Sequence, residues 1–273
     1  MNLFHLIQTC DTLAYDRVKY WKLKRENGRW PSPNRSANRL AQLGTHHVKY
    51  LSHVCPSYPT RLSELTAPPP VLFYRGHMHH LLRPSISIIG CRKPSALASK
   101  LAYSTAANLV RAGFTIVSGM ARGIDSQALR GAYVSENFFF GVAVLGTPIT
   151  QCYPPENFGL FQTLSQHGLV LSEYPPWFNT HPYHFIFRNE LIAALGDVLL
   201  VVEAGEKSGT FHTVNAALEL GKLVMTFDLP AKGNQRLLQD GAASVKKVDD
   251  IFPFIFESLR DKVLPPCGKI SCP

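Results

Sequence analysis

Ser85-Ile86-Ser87-Ile88-Ile89-Gly90-Cys91-Arg92-Lys93-Pro94-Ser95 is the stretch whose reading decides the fold. An apolar β-branched run, a glycine turn carrying two cations and a capping serine read as strand, tight turn and helix N-terminus. Such a turn suits phosphate, because a helix end presents unpaired N–H groups and a partial positive charge. Arg92 adds a planar fork of donors that matches a phosphodiester.

The pattern repeats downstream. Apolar runs at Ile86–Ile89, Phe114–Val117, Val142–Leu145, Leu169–Leu171, Val198–Val202 and Leu223–Phe227 alternate with helical stretches. The helices are expected at Ser95–Ala112, Gly123–Val134, Glu156–His167, His184–Leu195 and Thr210–Leu220. Continuous apolar strands between helices imply a mainly parallel sheet covered on both faces, an α/β, doubly wound, extended Rossmann-like domain. A further short strand is expected at Val71–Gly76. Upstream, helices at Asn2–Cys10, Thr12–Arg25 and Ser36–Leu43, broken at Trp30-Pro31-Ser32-Pro33, form a small module. The expected division is 1–56 for that basic helical module, 57–258 for the Rossmann-like domain and 259–273 for a short tail.

Composition narrows the partner. The 273 residues carry 28 Lys/Arg against 19 Asp/Glu, a formal net charge of +9. Such a balance favours a polyanion, nucleic acid before anionic membrane. In residues 1–56, nine Lys/Arg face three acids. The six cysteines, Cys267 and Cys272 among them, form no C-x-x-C pair, which fits reduced thiols. No apolar run approaches membrane-spanning length and no signal-peptide core is present, so the expected location is the cytoplasm, without a membrane. No metal site and no cofactor are expected.

Four turns carry the chemistry, since ligands of open parallel sheets sit at the carboxyl ends of strands. The first holds Gly90, Arg92 and Ser95. The second, Ser118-Gly119-Met120-Ala121-Arg122-Gly123-Ile124-Asp125, sets two glycines around Arg122 at a helix start, with Asp125 read as a first-turn helix charge. The third, Glu203-Ala204-Gly205-Glu206-Lys207-Ser208-Gly209-Thr210, lacks P-loop spacing, but the amides of Ser208, Gly209 and Thr210 can form a phosphate nest. The fourth, Tyr183-His184-Phe185-Ile186-Phe187-Arg188-Asn189-Glu190, has two readings. Aromatic and basic residues together suit single-stranded nucleic acid; alternatively Phe185 and Phe187 enter the core and Arg188 stays on the surface. No hydrolytic motif is assembled.

In this order the motifs resemble the DNA-processing protein A family (DprA, also called Smf), over about Tyr58 to Ala243. The resemblance rests on Tyr58-Pro59-x-x-Leu62, Pro69-Pro70-x-Leu72-Phe73-Tyr74-x-Gly76, the four turns above, Ala143-Val144-Leu145-Gly146, Tyr153-Pro154-x-x-Asn157, Ser172-Glu173-Tyr174-Pro175-Pro176, Gly233-Asn234 and Gly241-Ala242. It implies a dimeric, non-enzymatic single-stranded DNA-binding protein that protects incoming strands in natural transformation and loads the RecA recombinase. Carried over residue by residue, its groove would use Gly90, Arg92, Ser95, Ser118, Gly119, Arg122, Gly123, Ser208, Gly209 and Thr210, with Lys207 and Arg188 added.

Departures from the family pattern stand at Leu129, where histidine is usual, at Pro155 in place of a lysine, and at Glu190 in place of an arginine. On this reading the groove lacks one or two cations. The winged-helix domain that some members of the family carry after the Rossmann-like region is expected to be missing here. The alternative is a nucleotide enzyme resembling the phosphoribohydrolases, but at their P-G-G-x-G-T-x-x-E motif this chain reads Glu206-Lys207-Ser208-Gly209-Thr210-Phe211-His212-Thr213, without the glycine pair and the following glutamate. A duplex-binding regulator is a third reading, without a helix-turn-helix pattern to carry it.

Overall fold

A computed structural model describes residues 3–26, 42–135 and 138–260. Helices α1 (Leu3–Thr12) and α2 (Arg17–Arg25) open the chain, followed by strands β1 (Lys49–Ser52) and β2 (Val71–Gly76). Then come β3 (Ser85–Ile89), α3 (Ala96–Arg111), β4 (Thr115–Ser118), α4 (Ile124–Gly131) and the hairpin β5 (Tyr133–Ser135) and β6 (Phe138–Phe139). The rest runs β7 (Gly141–Leu145), α5 (Phe158–His167), β8 (Leu169–Ser172), α6 (His184–Leu195), β9 (Val198–Val201), α7 (Thr210–Glu219), β10 (Leu223–Phe227), α8 (Lys232–Gln239), β11 (Ala243–Val245) and α9 (Ile251–Arg260).

Nine strands form one sheet in the order β1-β2-β8-β7-β4-β3-β9-β10-β11. The seven from β8 to β11 pair in parallel, and β1 and β2 add an antiparallel edge. The strand period of two splits the core. Ile86, Ile88, Ile116 and Leu200 face one layer with α3 and the N-terminal helices; Ile89, Val117, Leu199 and Val201 face the other with α6 and α7. This is the expected Rossmann-like architecture with helices on both faces.

The order reverses at β3. From there the chain winds through β4, β7 and β8 on one side, then returns to β9, β10 and β11 on the other. A crevice at the carboxyl ends of β3 and β9 follows from that reversal. The turn at Gly90–Ser95 and the turn at Glu203–Thr210 are its two walls.

Several boundaries differ from the sequence reading. Lys49–Ser52, placed in the helical module, is one edge strand of the sheet. The helix expected over Thr12–Arg25 is broken, because Ala14 and Tyr15 adopt positive φ and Asp16 caps α2 by accepting from Lys19 N at 3.0 Å. The helix expected to Val134 ends at Gly131, where the β5–β6 hairpin begins. Of the helix expected at Ser36–Leu43, residues 36–41 lie outside the described residues, as do Trp30-Pro31-Ser32-Pro33, most of the tail, Cys267 and Cys272.

The N-terminal segment packs against the sheet through Tyr15, whose ring meets Phe73 and Phe178 edge-on at 5.9 and 5.4 Å. Trp177 Nε1 donates to Asp11 Oδ1 at 2.7 Å. Arg17 is buried beside Glu173, with Nε 3.7 Å from Oε2, and donates to Glu190.

Candidate nucleic-acid interface

The crevice at the strand reversal is an open cleft of about 490 Å³. Gly90, Cys91 and Arg92 line one wall, Lys207, Ser208, Gly209 and Thr210 the other, and Asp125, Phe185 and Arg188 the floor. A smaller recess adjoins it, sharing Arg92, Ala121, Phe185 and Arg188 and adding Gly119, Arg122, Tyr153 and Pro154.

Arg92 is exposed and has no hydrogen bond or ion pair to any described residue. Its fork of donors is therefore available to an incoming anion. Opposite it, the Ser208 hydroxyl lies 2.7 Å from Thr210 Oγ1 and accepts from Thr210 N at 3.2 Å. These bonds bend the chain at the start of α7, where the dipole favours negative charge. Lys207 is exposed at the rim.

Not every expected contact faces the cleft. The N-terminus of α3 already holds an anion: the Glu203 carboxylate accepts from Ser95 N at 3.1 Å and from the Ser95 hydroxyl at 2.5 Å. The expected role of Ser95 is thereby corrected. Its donors are spent on Glu203, and its hydroxyl also accepts from Ala98 N at 3.1 Å as the helix cap. Cys91 Sγ contacts the same carboxylate at 3.4 Å, and burial followed by that contact pushes its thiol up to about 11. Ser118 is also corrected: it is fully buried and donates to Ile88 O at 2.6 Å, between β4 and β3. Gly123 is a packing glycine with φ 76°; a Cβ there would lie 2.8 Å from Arg92 C.

Arg188 inverts the second reading of the fourth turn, in which it stays on the surface. It is buried, whereas Phe185 and Phe187 are only half-buried. Its Nη1 donates to Val144 O at 3.0 Å and to Gly119 O, and its Nε donates to Asn189 Oδ1 at 3.1 Å. Nη2 is the nitrogen left without a partner among the described residues. Gly119 is required here, since a Cβ would collide with the guanidinium and lie 2.7 Å from Asp125 Oδ2. Asp125 stands in the first turn of α4, as the sequence reading has it, and is buried close to Arg188. Burial pushes its carboxyl up, and Arg188 opposes that rise. His184 is no cation of the groove: burial, then His181, lowers it to about 4, and its ring lies 4.3 Å from that of Tyr174.

Arg122 is exposed on the rim of the recess, but it is engaged. It makes a two-pronged ion pair with Glu156, Nη2 to Oε2 at 3.1 Å. Glu190, expected as a missing groove cation, turns away to Arg17. Glu203, Glu156 and Glu190 thus escaped the sequence reading as partners. The one signal available was Glu203 directly after the strand Val198–Val202.

A sequence profile of the DNA recombination-mediator protein A family matches residues 49–256. The chain belongs to this family. Among curated relatives of the family, the DNA processing protein DprA of Bacillus subtilis is 32% identical over 88% of this chain and 82% of its own length. Protein Smf of Synechocystis is 35% identical over 80% of this chain, which spans 58% of that longer protein. The crystal structure of DNA processing protein A from Streptococcus pneumoniae superposes with a TM-score of 0.76 at 27% identity, over 92% of this chain and 96% of that one. The Helicobacter pylori family member, whose structure addresses its single-stranded DNA binding mode, superposes with a TM-score of 0.70 at 28% identity over 78% of this chain and 96% of that one. The Rossmann-like fold described above is therefore the fold of this family.

Proposed function

We propose that this chain binds single-stranded DNA across the carboxyl edge of its sheet, without base sequence preference. The observation that carries the reading is Arg92, exposed and unpaired among the described residues, facing the bend at Ser208–Thr210 across an open cleft. Arg92 and the α7 amides would hold successive phosphates, with Gly90 and Gly119 lining the path beside them and Lys207 and Arg188 Nη2 adding charge. Half-buried Phe185 and exposed Tyr153, with ring centroids 5.6 Å apart, offer faces to bases. The DNA-binding Helicobacter relative supports the same ligand.

In this reading the chain is a binding protein and not an enzyme. Where the phosphoribohydrolase pattern has its glutamate, this chain has Thr213. It would act in the cytoplasm as a homodimer, protect incoming strands in transformation and pass them to the RecA recombinase; the family's description as a recombination mediator supports that role. No helix among the described residues is long and apolar enough to cross a membrane.

A gel-shift titration with single-stranded and duplex oligonucleotides, with and without recombinase, tests this. Preference for the single strand, weakening with salt, is expected. Equal affinity for duplex, or turnover of nucleoside monophosphates by the purified protein, would overturn it.

A further inference from the structure

Beyond the recess, an open groove of about 590 Å³ runs beside α5, lined by Tyr103, Arg130, Tyr133, Glu156, Leu160 and His167 together with Gly159 and Thr163. It begins at Glu156, the residue that pairs with Arg122 on the rim of the recess. Arg122 and Glu156 thus form the sill between the two depressions. The ten residues of α5 give the groove a length of about 15 Å.

Its chemistry matches that of the cleft. Tyr103 is 47% exposed and Tyr133 is half-buried, so two aromatic faces are accessible. Arg130 is exposed and is steadied by Asn157, Nη2 to Oδ1 at 3.4 Å. Asn157 in turn donates to Met120 O at 2.9 Å, in the second turn of the cleft. Aromatic faces beside a cation bind single strands, because every base has a π-face and every linkage a charge. The groove is open above Gly159, where an added Cβ meets no atom within 4 Å.

We propose that this groove is a second segment of the DNA track. A strand leaving the cleft crosses the Arg122–Glu156 sill and continues between Tyr103, Tyr133 and Arg130. The inference rests on the proposed binding of single-stranded DNA in the cleft.

The test uses Gly159→Glu, which puts bulk and negative charge into open space, and Arg130→Ala, each in the full chain. Affinity is measured for an oligonucleotide of about six nucleotides, enough for the cleft, and one of about twenty. Gly159→Glu is expected to weaken the long strand about tenfold and to leave the short one unchanged. Arg130→Ala is expected to lower the long strand's log–log salt slope by about 0.7. Unchanged long-strand binding in both variants, or equal weakening of both lengths, overturns the proposal. Thermal melting identifies a misfolded variant, in which case Arg130→Ala alone decides. Arg92→Ala serves as the separate control: if it binds both lengths like the parent, the cleft itself is misassigned, whatever the groove variants do.

Discussion

Arg17 of α2 donates to Glu190 of α6, two residues along the helix from Arg188 on the cleft floor. The Arg17 side chain is 2% exposed and Glu190 is 38% exposed. The acid that looked like a lost groove cation is the docking partner of the N-terminal segment. Glu173, buried and 3.7 Å from the same guanidinium, completes a cluster of two carboxylates around one arginine. Arg17 also lies over the Phe187 ring, 5.2 Å from its centroid.

Replacing Glu190 by arginine therefore does not restore a groove cation. It sets two guanidiniums together at the α2–α6 contact. The expected outcome is a lower melting temperature and no gain in single-stranded DNA affinity, read by thermal melting and fluorescence anisotropy. Tighter binding with unchanged melting would place Glu190 in the groove after all.

Arg17→Met leaves Glu173 buried without its counter-charge. Breaking a buried pair from one side costs about 3–5 kcal/mol. Urea unfolding should show a loss of that size, and Arg17→Met combined with Glu173→Gln should recover part of it. Additive losses in the double variant would show that the two residues do not interact.

Arg92→Ala removes the exposed cation that faces the Ser208–Thr210 bend. Single-stranded DNA affinity should fall at least tenfold at moderate salt, about 1.4 kcal/mol. Melting should move little, because the exposed Arg92 side chain makes no hydrogen bond or ion pair to a described residue. Retained affinity in the folded variant would remove the cleft from consideration.

Glu156→Gln frees Arg122 from its ion pair. The freed guanidinium becomes available to a phosphate, so affinity should rise and the log–log salt slope should steepen by about 0.7. Both partners are half-exposed in side chain, so melting should stay constant. A flat or weakened titration would mean that Arg122 does not face the strand.

Stability should fall as the solution is acidified below neutral, in part through His184. Its pKa is held near 4 in the fold by burial, against 6.5 ordinarily. The unfolded chain therefore binds the proton first, and the stabilising contribution, complete above about 6.5, declines as pH falls toward 4 at about 1.4 kcal/mol per pH unit. His80, lowered to about 4, acts in the same direction. Asp125 and Glu173, pushed up by burial, act in the opposite one. The contribution of His184 is isolated by comparing urea midpoints of the parent and His184→Phe between pH 7 and 5. The parent should lose more than the variant; parallel curves would assign the effect elsewhere.

The parallel strands were legible in the sequence because strands buried on both faces are continuous apolar runs that glycine turns interrupt. The edges were not. Lys49–Ser52 and Ala243–Val245 are short and half-polar, and only pairing with distant strands makes them strands. At the site, the turns supplying Arg92, Lys207 and Ser208–Thr210 were legible from local residue types. Which donors were already spent was not. Ser95 is consumed by a residue 108 positions away and Arg122 by one 34 positions away. Local spacing carries no record of such partners, whereas the sheet order that brings them together does.

The cleft straddles the point where the strand order reverses, so its walls come from opposite halves of the chain. A nascent polypeptide displays Arg92 long before Ser208–Thr210 has been synthesised. Until β9 is inserted beside β3, Glu203 cannot reach Ser95 and the two walls do not exist as a pair. On the proposed function, capture of a strand would thereby be reserved for chains that have completed folding, which would make binding itself a readout of assembly.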